Sequence, residues 1–142
     1  MHLNLPTYPF KLKKQQNKPF IYDQIRKKFV SLNPEEWVRQ HIISYLITHK
    51  NISKAHIAVE RQIVYLNTTK RFDVLVFNKN AETDILIECK APSIQLNSET
   101  ALQLALYNQQ FKCKIIIISN GLQHFSWQLN SENQYELFSF FD

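Results

Sequence analysis

The sequence predicts an α/β fold in which a mixed β-sheet is flanked by helices, and three observations predict it. Two stretches with helix-start chemistry alternate with runs of β-branched and apolar residues. Lys114 to Ser119 is almost entirely apolar, the pattern of a strand buried on both faces. A helix-length segment separates that run from the apolar run ending at Ala91, so the two strands are expected as parallel neighbours joined by a crossover. At 142 residues the chain reads as one domain able to bury about two thirds of its unfolded surface.

Taken in order, residues 1–32 read as an extended, proline-punctuated arm able to form a short hairpin. Phe10, Phe20, Ile21, Tyr22, Ile25, Phe29 and Val30 would anchor it on the main domain, residues 33–142. Asn33-Pro34-Glu35-Glu36 is a helix start: Asn33 as N-cap, proline at the first helical position, and acids facing the positive end of the dipole. The apolar set Trp37, Val38, Ile42, Tyr45 and Leu46 gives that helix one buried face as far as about His49. Residues His56 to Leu66 are expected as the first strand of the sheet. The strand-like runs Arg71 to Phe77 and Asp84 to Ala91 follow, joined by the polar turn Asn78 to Thr83. A second helix is expected over Ser98 to Phe111, capped by Asn97 or Ser98 and rich in alanine and leucine. After the run to Ser119, a turn at Asn120-Gly121, which holds the only glycine, leads into Phe125 to Leu129 and Tyr135 to Phe140 as a closing hairpin.

Charge and composition narrow the function classes. The net charge is +5, and its excess is uneven: Lys11, Lys13, Lys14, Lys18, Arg26, Lys27 and Lys28 stand near the N-terminus against Asp23 alone. Such an edge suits a phosphate-facing surface and equally a solvated one that only aids solubility. Cys89 and Cys113 lie in or beside apolar runs, and with no secretory leader they read as reduced core thiols in a cytoplasmic protein. No run approaches the length needed to span a bilayer. His2, His41, His49, His56 and His124 show no metal-ligand spacing, and no glycine-rich phosphate loop exists, which argues against a zinc site and against nucleotide hydrolysis.

The chemistry concentrates on the two central strands. Side chains alternate along a strand, so Glu88 and Lys90 emerge on one face while Ile85, Ile87 and Cys89 fill the other. Neighbouring antiparallel strands lie about 4.8 Å apart, which lets Asp73 approach Glu88 if it faces the same way. Carboxylates that close repel unless a cation lies between them, and hard oxygen ligands suit Mg²⁺ or Mn²⁺. The competing reading is a structural salt bridge between Lys90 and one acid, since acids flanked by core residues are costly unless paired.

Four stretches resemble the PD-(D/E)XK nuclease superfamily, and more closely the N-terminal nuclease domain of type I restriction enzyme R subunits in its small stand-alone bacterial form. They are Pro34 to Gln40 on the first helix, Lys70-Arg71-Phe72-Asp73, Ile87-Glu88-Cys89-Lys90-Ala91-Pro92, and Gln103-Leu104-Ala105-Leu106-Tyr107, which matches a QxxxY element. Ser119-Asn120-Gly121 resembles the strand end and turn that come next. The resemblance implies a restriction-endonuclease-like fold and Mg²⁺-dependent cleavage of DNA, with Mn²⁺ able to substitute. Asp73, Glu88 and the Cys89 backbone carbonyl would hold the metal, and Lys90 would activate or position the attacking water. Glu36 would hold a metal-bound water or complete the site, with Gln103 assisting. Arg71, Tyr107, Arg39, Gln40 and Lys70 would meet the nucleic acid. Phe72 stands where the pattern usually has proline.

Gln103 and Tyr107 also read as ordinary helix surface, and Arg71 as a partner for an acid. Two rivals stay open: a nuclease-like module that binds DNA or a protein without cutting, and a homodimeric branched-DNA resolvase. DNA and a motor or specificity subunit are the expected partners. The apolar stretch Tyr135 to Phe141 is a candidate edge for pairing with a second copy.

Overall fold

The structure, a computed structural model, describes residues 1–141. Strands β1 (Leu12–Gln15), β2 (Lys18–Asp23) and β3 (Lys28–Ser31) precede α1 (Pro34–Thr48). Then come β4 (Ile57–Tyr65), β5 (Thr68–Phe77), β6 (Thr83–Cys89), α2 (Ser98–Asn108), β7 (Ile115–Ser119), β8 (His124–Leu129) and β9 (Tyr135–Phe138). The main sheet has the order β4-β5-β6-β7-β8-β9. Only β6 and β7 run parallel, as the crossover through α2 requires; the remaining neighbours are antiparallel.

The arm is more regular than expected. Beyond the short hairpin expected, residues 12–31 form a three-stranded antiparallel meander. Its first turn uses Gln16 and Asn17 at φ 53° and 62°, the two-residue geometry that matches strand twist. At its second turn the Asp23 carboxylate accepts the Ile25 and Arg26 amides at 2.7 and 2.8 Å, and Lys27 takes φ 56°. Both turns do without glycine, which is why sequence patterning undercounts them.

Helix α1 begins as its chemistry dictates, with Asn33 Oδ1 accepting the Glu36 amide at 2.8 Å. Its apolar face, including Val38, Ile42 and Leu46, packs on Val74, Val76, Ile85, Ile87 and Ile117 from one side of the sheet. Helix α2, held by an Asn97/Thr100 capping box, lays Ala101 and Ala105 on Leu75, Leu86, Ile116 and Ile118 from the other. Cys89 and Cys113 are free and buried in these two layers. Strand β9 stops at Phe138, short of the expected Phe140. There the Ser126 hydroxyl donates to the Phe138 carbonyl at 2.8 Å and accepts the Phe140 amide at 3.2 Å, turning Phe140 inward against Tyr45. No helix among the described residues is long and apolar enough to cross a membrane.

Candidate active site

The site is built where β5 leaves β6. Their ladder runs through Val74↔Ile87, so the next pair in register sets Asp73 opposite Glu88. On the other side, β4 pairs Val59 with Val74 and Arg61 with Phe72 but skips Glu60, which sits at φ 53°. The chain turns over at this point: Phe72 lies in the α2-side core and Val74 in the α1-side core, whereas a regular strand would put both on one face. Asp73 Oδ2 accepts the Cys89 amide at 2.8 Å, so its side chain does what the missing ladder bond would. Arg71, expected on the Asp73 face of a regular strand, is exposed beyond the irregularity.

Glu88 points toward α2. Its carboxylate is 2.5 Å from the Lys70 ammonium and accepts the Asn108 amide nitrogen at 3.2 Å, while Asn108 Oδ1 accepts from Lys70 at 2.9 Å. Lys70 therefore serves Glu88 rather than presenting its charge to a phosphate, and it also lies over the rings of Phe72 and Tyr107. Sequence reasoning missed Asn108. The signal was the spacing Ala101, Ala105, Asn108, which puts an amide on the buried stripe of α2. Tyr107 is about half exposed beside this group, whereas Gln103 is exposed and makes no hydrogen bond to Asp73, Glu88 or Lys90.

On the α1 side, Arg39 and Gln40 are nearly fully buried, which removes both from the outer nucleic-acid surface expected of them. The Arg39 guanidinium lies 3.3 Å from Glu36, 3.3 Å from Glu60 and 3.7 Å from Asp73. Gln40 Nε2 donates at 2.9 Å to both Asp23 and Glu36. Arg26, from the meander, binds Asp23 at 2.7 Å and Glu36 at 2.9 Å. Glu36 is thus one step removed from the expected role: with Arg26, Gln40 and Arg39 all on its Oε2, it reaches Asp73 through Arg39. Burial pushes the Asp73 carboxyl up to about 6, against the Cys89 amide and Arg39, which favour the charged form; Glu35 and Glu88 add to the rise.

Lys90 follows the end of β6, its amide donating to the Ser119 carbonyl at 2.8 Å. Its side chain is half-buried, and among the described residues no acid pairs with it, so the structural salt bridge weighed for it does not form. The described residues hold no group of three or more histidines, cysteines and acids that would cage a metal. Asp73 and Glu88 offer a smaller donor set of two hard carboxylates. That set fits Mg²⁺ or Mn²⁺, which commonly take one or two carboxylates and complete their shell with water and substrate phosphate. The desolvated Asp73 carboxyl, raised further by its acidic neighbours, is the kind of group a cation relieves.

No curated relative matches the chain. The family model for the type I restriction enzyme R protein N terminus matches residues 34–141, from the first turn of α1 past the end of β9. The chain belongs to the family of type I restriction enzyme R protein N-terminal domains.

Proposed function

We propose that this domain hydrolyses DNA phosphodiester bonds with a divalent metal held by Asp73 and Glu88. The observation that carries the reading is that Asp73 and Glu88 take opposed positions where β5 and β6 separate, close enough for Glu88 to raise the Asp73 carboxyl, with Lys90 two residues beyond Glu88 and without an acid partner among the described residues. Asp73, fixed by the Cys89 amide and by Arg39, and Glu88, fixed by Asn108, would hold the ion, with the Cys89 carbonyl as a further oxygen ligand. A bound Mg²⁺ or Mn²⁺ supplies a water activated at neutral pH and positive charge for the phosphoryl oxygens. The Lys90 ammonium donates to the attacking water or to the charge developing on the phosphate, which only an unpaired lysine is free to do. Glu36 keeps Arg39 in place and so acts on Asp73 at second hand. Arg71, Gln103 and Tyr107, all exposed, are available to the strand backbone.

Incubating plasmid, linear and single-stranded DNA with the protein in Mg²⁺, Mn²⁺ or EDTA tests this, with Lys90→Ala alongside. Cutting that needs metal and disappears in the variant is the expected result; a variant that cuts at the wild-type rate would sink the mechanism.

The Lys70–Glu88 ion pair favours a second reading, in which the module binds DNA without cutting in this state. Lys70 must leave Glu88 before that carboxylate can take a cation. Lys70→Ala separates the two readings: gain of metal-dependent cutting over wild type identifies the pair as a lock on an active nuclease. Unchanged DNA binding with no cutting by either protein supports the binding module.

A further inference from the structure

A cavity of about 340 Å³ lies between the N-terminal arm and α1, away from the α2 side where Glu88 is held. Gln40, Ser44 and Thr48, spaced one helical turn apart, form its polar floor, and Tyr8, Phe10 and Tyr22 its aromatic wall. Lys11 and Lys54 line it, no acid does, and neither lysine has an acid partner among the described residues.

Gln40 gives the floor a defined polarity. Its amide nitrogen is committed to two carboxylates, Asp23 and Glu36, and since carboxylates only accept, the orientation of the amide is fixed. That leaves the carbonyl oxygen, which no donor reaches among the described residues and which is not among the fully enclosed unpartnered atoms. Gln40 itself lines the cavity, so the unpartnered acceptor belongs to a lining side chain. An acceptor at the floor, aromatic rings on the wall and two lysines without an acid partner among the described residues, Lys11 lying 5.5 Å over the Tyr22 ring, form one recognition set. It matches a nucleotide, whose base stacks, whose exocyclic amine donates and whose phosphate is anionic.

We propose that this cavity is a nucleotide-binding pocket, taking one unstacked nucleotide of a nucleic-acid strand with an amino-bearing base toward the Gln40 carbonyl and its phosphate at Lys11 and Lys54. The proposal rests on the nucleic-acid reading above for the source of the nucleotide, while occupancy of the pocket is independent of cleavage. Exposed lysines on the same meander, Lys13, Lys14 and Lys18, give the rest of a strand a basic surface to follow.

Calorimetric titration in EDTA tests it, using adenosine monophosphate, the purine ribonucleotide that lacks the exocyclic amine, and a short oligoadenylate. Adenosine monophosphate is expected to bind the wild type, and about tenfold more weakly when the amine is missing, as for a lost hydrogen bond to a buried acceptor. The double variant Lys11→Ala/Lys54→Ala, at two exposed positions, should weaken binding of the monophosphate and of the strand alike, and Tyr22→Ala should do so through lost stacking. A strand that binds more tightly than the monophosphate marks the nucleic acid as the source; a monophosphate that binds as tightly as the strand marks a free nucleotide. No binding of either probe at millimolar concentration, or equal binding by wild type and the double lysine variant, overturns the pocket. Binding of the two mononucleotides is read in EDTA, where no metal-dependent cutting occurs, so loss of cutting by any variant leaves this result unaffected.

Discussion

Asp73 sits among neighbours that pull its carboxyl in opposite directions. Burial raises its pKa to about 6, with Glu35 and Glu88 adding to the rise, while the Cys89 amide and Arg39 favour the ionised form. A carboxyl whose pKa is higher folded than unfolded binds its proton more tightly in the native state. Its contribution to stability is therefore present in acid and lost as pH rises through the folded value. In metal-free buffer with EDTA, the Asp73 contribution should fall between about pH 4 and pH 6, by at most about 3 kcal/mol. Asp73→Asn should remove that part of the pH dependence, read from urea midpoints across the range; an unaltered profile would place the titration elsewhere. At this scale the sequence disclosed the acids and the lysine through their positions within apolar strands. The partners of Glu88 were not legible, because Lys70 and Asn108 lie 38 residues apart and meet only when α2 crosses the sheet.

Among the elements, α1 and α2 could be read directly, since Asn33 and Asn97 carry their start signals in the local sequence. The meander could not, because its turns rest on Gln16, Asn17 and the Asp23 side chain instead of glycine. Its contribution reaches the site: Arg26 bridges Asp23, which is fully buried, to Glu36 on α1. Arg26→Ala would leave both acids without that cation, at a cost of roughly 2–4 kcal/mol, somewhat below the ~3–5 kcal/mol for a fully buried pair because the Arg26 side chain keeps 19% of its surface exposed. Denaturant unfolding measures it, and a loss below about 0.5 kcal/mol would show the network to be no stronger than a surface pair. The same break at Asp73 also hid its surroundings from sequence, since strand alternation holds on each side of that residue and fails across it.

For the whole molecule, the mixed sheet with one helix on each face follows from patterning: a two-sided apolar strand, a crossover helix and a closing hairpin leave few other arrangements. How the N-terminal segment locks onto the end of that sheet is tertiary. The Asn4 amide donates to the Gly121 carbonyl at 2.8 Å, and Gly121 itself is at φ +85°. A Cβ there would stand 2.9 Å from Leu3 Cδ2 and 3.1 Å from Val38 Cγ2. Gly121→Ala should thus destabilise by about 1–3 kcal/mol through backbone strain and crowding, visible as a lower melting temperature. An unchanged melting temperature would mean the segment is free to move aside. The central claim for the molecule is that Asp73 and Glu88, at opposed positions of β5 and β6, form a divalent-metal site. Calorimetric titration of Mn²⁺ into the wild type, Asp73→Asn and Glu88→Ala measures it most directly. Saturable binding by the wild type that is lost in both variants is the predicted result, and variants that bind Mn²⁺ as the wild type does, or a wild type that binds none, would contradict it.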